Sequence, residues 1–466
     1  MTTSRRPRSP SSRAGRERLD LLVRGGTLVT PQGMERLDLG VQGGRIVVVA
    51  PVVDVPSRAV LDAAGAYVLP GVIDSHVHFN EPGRAGWEGL ASGSAALAAG
   101  GGTCFFDMPL NSEPPVLDER RLLEKRRLAE RKSRTDFALW GGLVPGNLDQ
   151  LAGLKDAGAV GLKAFMSDSG IASFPRVDRA ALRSGMKRAA KLDLLVAVHA
   201  EDDARAAALT RAQRGAGRTD AAAYLRSRPP EVECLAIREA LELSGETGCA
   251  LHIVHVSSPE GLALVTAARR RGVNVTAETC WHYLLLNASA PLQRGAVAKC
   301  APPLRSETRR RRLWAGLRAG RVDTLGSDHS PAPPGLKTAA DYFDLWGGIA
   351  GVQHGFELLL NATLATAERD WPRLVECTSA AVARRFRLPL KGQLAPGFDA
   401  DFFLLRPSRT RVIRARELLT RHRLSPYVGL ESALRITHTF VRGRAVWAAG
   451  RLTPQSPRGH FLTPAP

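Results

Sequence analysis

The sequence predicts an α/β protein: a (β/α)8 barrel of the TIM type with a small β-sandwich domain formed by both chain ends. Two observations carry this prediction. Short apolar runs alternate with longer helical patterns through the middle of the chain, whereas both ends carry short strands and glycine-rich turns. The runs recur about every 36 residues, a reasonable length for one strand and its following helix.

The two chain ends share a texture of short strands and tight turns. "LDLLVRGGTLVT" and "LDLGVQGGRIVVVA" lie near the start, and "KGQLAPGFDADFFLLRP" and "RITHTFVRGRAVWAAGRL" lie near the end. The Gly-Gly pairs at 25–26 and 43–44 predict hairpin turns, because paired glycines between apolar runs accept the positive φ angles such turns need. Both ends are therefore expected to build one β domain.

These patterns divide the chain into a barrel and its flanking segments. The barrel is expected over residues 69–389 as a metal-dependent hydrolase domain. The flanking segments are a disordered basic N-terminus at 1–19, a β domain from 20–68 plus 390–452, and a C-terminal tail at 453–466.

The composition is that of a globular protein, with 44% apolar and 24% charged residues in a chain of 466. No stretch approaches the roughly 18 consecutive apolar residues of a membrane helix, so we expect a soluble protein without a membrane partner. The Arg- and Ser-rich start lacks the apolar segment of a secretion signal. It leaves a cytoplasmic location as the main expectation and a mitochondrial one as the alternative.

The net charge of +20 comes largely from arginine, in runs such as 309–312 and 269–271. These runs fall in helical patterns without interleaved aromatic residues, so solvated helix faces are favoured over a nucleic-acid surface. The six cysteines are scattered without a CxxC pair. That spacing predicts free thiols in a reducing compartment.

Polar side chains stand at or beside the ends of most barrel runs. The runs end near residues 78, 108, 143, 165, 199, 256, 280 and 328. The polar side chains at these points are His76, His78, Lys163, His199, His255, His282 and Asp328. Because active sites of such barrels lie at the C-terminal strand ends, these residues are expected to converge. Histidine and aspartate ligands without cysteine predict an open catalytic site for Zn²⁺ or a similar divalent ion.

Lys163 lies inside the apolar run "AVGLKAFM", where an ammonium group would be desolvated at a cost of several kcal/mol. It could pair with an acid or extend to solvent. Alternatively, it could react with CO₂ to form a carbamate, an anion that can bridge two cations. Four histidines, one aspartate and this carbamate would suffice for two metal ions.

Seven segments together resemble the cyclic amidohydrolases of the amidohydrolase superfamily, and their allantoinase branch most closely, over about residues 20–450. The segments are "PGVIDSHVHFNEPGR", "DMPLNSEPP", "GLKAFMSDSGIASFP", "SRPPEVE", "KCAPPLR", "SDHSPAP" and "SPYVG". The resemblance implies hydrolytic opening of the hydantoin ring of allantoin to allantoate in purine catabolism. It also implies a homotetramer and a small-molecule substrate rather than nucleic acid.

The resemblance further assigns the metal ligands. It places His76, His78 and Asp328 on a first ion and His199 and His255 on a second, with carbamylated Lys163 bridging two divalent ions, most simply Zn²⁺. Asp328 would act as base and then as acid in the reaction.

The substrate choice depends on residues around this set. Dihydroorotase-like relatives carry Arg where this chain has Asn80, and an amide suits a neutral ureido group better than a carboxylate. The expected substrate contacts are Asn80, Asn111, Thr279, His282 and Ser330. Trp281 replaces the usual proline before His282, a change that bears on the pocket volume and on the position of this histidine. A dihydropyrimidinase or hydantoinase, and a non-catalytic scaffold of the same fold, remain the alternatives.

Overall fold

The computed structural model describes residues 18–454 and 459–466. Most of the predicted disordered N-terminus therefore lies outside the described residues. The first strands are β1 (Leu21–Thr30), β2 (Gly33–Gln42), β3 (Arg45–Ala50), β4 (Val60–Asp62) and β5 (Tyr67–Pro70). The central strands are β6 (Val72–Val77), β7 (Gly102–Asp107), β8 (Asp136–Leu139), β9 (Gly141–Gly142), β10 (Leu162–Phe165), β11 (Val196–His199), β12 (Leu251–Ile253), β13 (Val275–Cys280) and β14 (Thr324–Gly326). The last strands are β15 (Phe402–Val412), β16 (Glu431–Val441), β17 (Arg444–Ala448) and β18 (Arg451–Leu452).

The central strands form a closed parallel barrel, which confirms the predicted fold class. One sheet has the order β14-β13-β12-β11-β10-β9 and the other β6-β7-β8. Only Trp140 separates β8 from β9, so the two segments occupy one barrel position. A parallel bridge between Val77 and His329 closes the ring. The barrel strands are almost entirely buried, as expected for parallel strands covered by helices.

Helices follow the barrel strands along the chain. The first seven are α1 (Leu90–Ala99), α2 (Glu119–Lys132), α3 (Leu151–Asp156), α4 (Arg179–Lys191), α5 (Asp203–Gly215), α6 (Ala221–Ser227) and α7 (Pro230–Thr247). The others are α8 (Pro259–Arg270), α9 (Trp281–Leu285), α10 (Ala290–Arg294), α11 (Glu307–Arg318), α12 (Gly355–Ala362), α13 (Ala367–Val375) and α14 (Ala381–Arg385). Where the structure describes the chain, every helix is too short or too polar to span a bilayer.

Both chain ends meet in one nine-stranded sheet with the order β18-β17-β16-β15-β5-β1-β2-β3, and β4 pairs with β1. The predicted hairpin at Gly43–Gly44 joins β2 to β3, and both glycines have positive φ. The hairpin predicted at Gly25–Gly26 is wrong. That pair lies within β1, where the register against β2 shifts between Val23 and Gly26, so the positive φ of Gly25 serves a bulge.

The arginine runs lie on the outer helices, where acidic neighbours pair with many of them. Arg310 and Arg311 each form an ion pair with Glu307, and Arg309 pairs with Glu260. The six cysteines are free thiols, and all are buried. They therefore pack as small core residues, as the sequence predicts.

A buried ion cluster connects the barrel to the β domain. The Nζ atom of Lys391 lies 2.6 Å from Asp136 on β8, 2.9 Å from Asp399 and 2.7 Å from Asp401. Arg442 also pairs with Asp136. The carboxylates raise the pKa of Lys391 against the effect of burial, so the lysine stays charged and neutralises them.

We expect Lys391→Met to destabilise the protein by about 3–5 kcal/mol, because it leaves the acidic cluster buried without its ammonium partner. Chemical denaturation measures the change. Lys155→Met, at an exposed lysine, is the matched control and should be close to neutral. Equal stability of the two variants would contradict this role.

Candidate metal centre

The first group of predicted ligands meets where the barrel closes. His76 lies on β6, His78 follows it, and Asp328 follows β14. Oδ1 of Asp328 lies 3.2 Å from Nε2 of His76 and 3.5 Å from Nε2 of His78. The three side chains are buried, and their ligand atoms lie within 4.8 Å of one another. This spacing lets one metal ion contact all three after small adjustments.

The second group lies on the neighbouring strands. His199 ends β11 and His255 follows β12, and Nδ1 of His199 lies 3.0 Å from Nε2 of His255. The rings of His76 and His255 are 5.5 Å apart, so the two groups adjoin. Burial lowers the pKa of both His199 and His255, so both imidazoles are neutral near pH 7, as metal ligands must be.

Lys163 lies on β10 between these groups. It is fully buried, and its Nζ makes no hydrogen bond to any described residue. Burial lowers its pKa to about 8, although the nearby carboxylates of Asp328 and Glu278 favour the charged form. Its charge in turn adds to burial in lowering the pKa of His76. An unpaired amine with a lowered pKa is unusually available as a nucleophile.

Two buried glutamates orient the histidines, and the sequence reasoning missed both. Oε1 of Glu278, on β13, lies 2.8 Å from Nδ1 of His76, which leaves Nε2 facing Asp328. Oε2 of Glu201 lies 2.9 Å from Nε2 of His199, which leaves Nδ1 facing His255. Such partners fix the tautomer and the ring orientation of metal-binding histidines. A signal was present, since each glutamate stands at the end of a predicted barrel strand.

Arg228 holds Glu201 in its ionised form. Its Nη1 donates to Oε2 of Glu201 over 2.7 Å. Burial alone would raise the pKa of Glu201, but Arg228 and His199 lower it to about 2. Arg228 comes from the segment "SRPPEVE", which directly precedes and opens α7. This segment of the sequence therefore supplies the arginine that keeps the glutamate partner of His199 ionised.

Glu201→Gln is expected to weaken metal binding on the His199 side by about 10–100-fold, because the amide no longer enforces the histidine tautomer. Metal content after dialysis against a graded series of free metal concentrations measures the loss. Glu242→Gln, at an exposed glutamate on α7, provides the control. Unchanged affinity in Glu201→Gln would show that His199 is oriented without this partner.

A cavity of about 490 Å³ opens onto the two histidine groups. His76, His78, His199, His255 and Asp328 lie in its wall. The wall also includes the segment from Phe343 to Gly348. The volume suits a small-molecule ligand.

Two of the five predicted substrate contacts line this cavity. Asn111 and Ser330 lie in its wall, and Nδ2 of Asn111 donates to Oγ of Ser330 over 3.3 Å. The structure does not bring Asn80 there: its side chain is buried and donates to the carbonyl of Pro331. Asn80 therefore supports the loop that carries Ser330 rather than facing the cavity.

Thr279 and His282 also lie outside the cavity wall. The hydroxyl of Thr279 donates to the carbonyl of Val256 over 2.7 Å. His282 belongs to the short helix α9 after β13, with a ring nitrogen within 4.8 Å of a carboxylate oxygen of Asp328, and burial lowers its pKa to about 4. Both side chains are fully buried, so neither reaches a ligand directly in this conformation.

Trp281 is accommodated in the core and leaves the cavity open. Its side chain is buried and packs near Phe356 at 6.1 Å between ring centroids. A Cβ atom on Gly355 would come within 2.3 Å of the indole, so the glycine makes room for the ring. The large indole therefore does not reduce the volume of the cavity.

A parallel barrel with histidines and aspartate converging at the C-terminal strand ends is the architecture of a metal-dependent hydrolase. The sequence pattern of the Amidohydrolase family matches residues 67–446. The chain belongs to the amidohydrolase family, and it is a hydrolase.

Several relatives match nearly the whole chain. The allantoinase of Solibacter usitatus is 47% identical over 445 residues, covering 96% of this chain and 97% of the relative. The allantoinase of Deinococcus radiodurans is 46% identical, covering 96% and 99%. Among solved structures, the L-hydantoinase (dihydropyrimidinase) from Arthrobacter aurescens superimposes with a TM-score of 0.92 at 33% identity, covering 96% of this chain and 100% of that one.

Proposed function

We propose that this protein hydrolyses the hydantoin ring of allantoin to give allantoate. One observation carries the proposal: the chain is up to 47% identical, over nearly its full length, to relatives named allantoinase. The side chains at the six predicted ligand positions are all of the expected type. A scaffold that had lost catalysis would have no need to keep them.

We further propose that the site holds two divalent cations. His76, His78 and Asp328 would hold one and His199 and His255 the other, and Zn²⁺ suits these nitrogen and oxygen donors. The residues present fit the ions, because burial keeps His199 and His255 neutral and glutamates hold the rings of His76 and His199 in place. Carbamylation of Lys163 would turn an unpaired buried amine into an anion between the two ions. Carbamylation would give the buried Lys163 side chain metal partners, whereas its free amine has no hydrogen-bond partner among the described residues.

Bound there, the cations supply an activated water and polarise the ring carbonyl. Asp328 is the proposed acid–base group that transfers the proton. Burial would raise the pKa of Asp328, but His76 and His78 lower it to about 2, so its carboxylate is ionised near pH 7. Its position in the cavity wall allows it to take the proton from the attacking water and pass it to the leaving ring nitrogen.

The charges around the cavity favour a neutral substrate. Arg214 pairs with Asp344 over 2.5 Å and with Asp341 over 3.1 Å. Lys299 donates to the backbone carbonyls of Tyr342 and Phe343 over 2.7 and 3.0 Å. Arg228 is likewise paired with Glu201, so each Arg and Lys in the described cavity wall already has a protein partner. A substrate carboxylate such as that of dihydroorotate would therefore find no unpaired Arg or Lys among the described residues of the wall.

Asn111 and Ser330 are the proposed contacts for the ureido and imide groups of allantoin. Both line the cavity beside the His78 and Asp328 pair. Amide and hydroxyl groups can both donate and accept hydrogen bonds, which suits a neutral ligand rich in carbonyl and N–H groups. The mutual hydrogen bond between the two side chains holds them in one orientation.

A hydantoinase or dihydropyrimidinase activity is the second candidate. The observation favouring it is the TM-score of 0.92 with the L-hydantoinase structure. That likeness has 33% identity, lower than the 47% of the allantoinase relative. Since hydantoin and allantoin share the reacting ring, the same centre could act on either.

A panel assay separates these candidates. Purified, metal-loaded protein is incubated with allantoin, hydantoin, dihydrouracil and dihydroorotate side by side, and ring opening is followed for each. We expect the highest kcat/KM with allantoin and the lowest with dihydroorotate. Hydrolysis of dihydrouracil but not allantoin would overturn the substrate assignment.

We also propose a homotetramer, as the family resemblance implies, and a cytoplasmic location for it. Light scattering coupled to size-exclusion chromatography tests the assembly by giving the mass directly. A monomer at working concentration would contradict it.

A further inference from the structure

A second set of metal-binding atoms includes Asp328. The Sγ atom of Cys280, a ring nitrogen of His282 and a carboxylate oxygen of Asp328 all lie within 4.8 Å of one another. The fold brings them together because Cys280 ends β13 in register with Gly326 of β14, two residues before Asp328. His282 follows in the first turn of α9.

His282 and Cys280, which the hydrolytic centre does not use, are available as metal ligands. His282 is fully buried, and neither of its ring nitrogens has a hydrogen-bond partner of standard geometry among the described residues, although the backbone of Ser327 approaches the ring. Cys280 is a free, fully buried thiol. By contrast, His76 and His199 each have a glutamate partner. A buried imidazole without a partner is costly, and a bound cation is one way to satisfy it.

We propose that Cys280, His282 and Asp328 form a separate thiolate-containing site for a soft divalent cation such as Cd²⁺, and that its occupation inhibits hydrolysis. Thiolate ligands select softer ions than the histidine and carboxylate set of the main centre does. Bond lengths of about 2.3 Å to sulfur and about 2.0–2.1 Å to nitrogen span such a set after small side-chain movements. On binding, a metal–sulfur bond replaces the S–H bond and the proton leaves to the buffer, so no oxidant is required.

Inhibition follows from the shared carboxylate. Oδ1 of Asp328 lies 3.2 Å from Nε2 of His76, and a carboxylate oxygen of the same side chain lies within 4.8 Å of Sγ of Cys280 and of a ring nitrogen of His282. A cation held by Cys280 and His282 would also engage the carboxylate that must take and return a proton. This part of the inference rests on the proposed hydrolysis, whereas the binding part does not.

The test titrates CdCl₂ into the metal-loaded holoenzyme and follows ultraviolet absorption and activity together. We expect a thiolate-to-cadmium charge-transfer band that grows up to about one equivalent of CdCl₂ per chain, together with a fall in activity of about 100-fold or more, as for withdrawal of an acid–base group. Cys280→Ser should keep its basal activity, lack the band and resist inhibition. Cys300→Ser, at the buried cysteine that lines the cavity, is the matched control and should keep the band.

Three results would overturn the inference: no band in the native chain, an undiminished band in Cys280→Ser, or loss of the band in Cys300→Ser instead. If Cys280→Ser does not fold, cadmium NMR of the native holoenzyme decides. A resonance shifted downfield by one sulfur ligand supports the site, and only nitrogen- and oxygen-ligated resonances contradict it. The absorption and NMR readouts need no substrate, so they stay informative even if the allantoin assignment fails.

Discussion

Asp328→Asn is expected to lower kcat by about 10²–10⁴-fold, the usual contribution of a positioned acid–base group. The amide keeps an oxygen for the metal but cannot take and return a proton, whereas the carboxylate, whose pKa is lowered to about 2 by His76 and His78, is ionised near pH 7. KM should change much less than kcat, because the cavity wall is otherwise retained. Steady-state kinetics on the metal-loaded variant, with its metal content measured in parallel, provides the test.

Asp323→Asn is a useful comparison for this variant. Asp323 lies just before β14 and pairs with Arg269 outside the cavity. It should therefore retain near-normal kcat. If Asp328→Asn instead turned over substrate at the normal rate with full metal content, the proton-transfer role would be refuted.

Lys163→Ala is expected to lose both metal and activity. The proposed carbamate is the one ligand shared by the two ions, so its removal should weaken metal binding by more than the about 10–100-fold lost with a partner of a metal-binding histidine. A short carboxylic acid added to the buffer can enter the space left by the side chain. We therefore expect it to restore part of the metal content and activity.

Two further measurements test whether metal binding depends on carbamylation of Lys163. Lys187→Ala, at an exposed lysine on α4, should bind metal normally. Native chain prepared in CO₂-depleted buffer should take up less metal than chain prepared with bicarbonate. Equal metal uptake with and without CO₂ would contradict carbamylation of Lys163.

The barrel and its ligand positions could be predicted because they follow from local pattern. Each of the eight apolar runs ends within three residues of an observed barrel strand end. Since parallel strands in a barrel place their C-terminal ends on one face, residues such as His76 and His255 had to converge once the strands were identified. Their measured proximity follows directly from that topology.

The roles of the surrounding polar residues could not be predicted in this way. Asn80 was expected at the substrate because of its motif position, yet its side chain faces Pro331. Glu278 and Glu201 act through side-chain directions that depend on the neighbouring strands. Gly25–Gly26 resembles a hairpin turn locally, but β2 pairs on both sides of it. In each case the deciding contact is long-range.

The exchange of proline for Trp281 shows the same dependence on distant packing. The sequence around it indicates a change of volume beside the site. The residue that absorbs this volume is Gly355, on a different helix and more than seventy positions along the chain. Only the folded arrangement shows that the cavity is spared.

The most direct test of the account is carbon NMR of allantoin incubated with metal-free and metal-loaded protein. We expect the hydantoin ring carbonyl signal to convert to the carboxylate signal of allantoate with the metal-loaded protein and not with the metal-free protein. Equal conversion by the metal-free protein, or an intact ring in the presence of protein carrying two ions per chain, would contradict it.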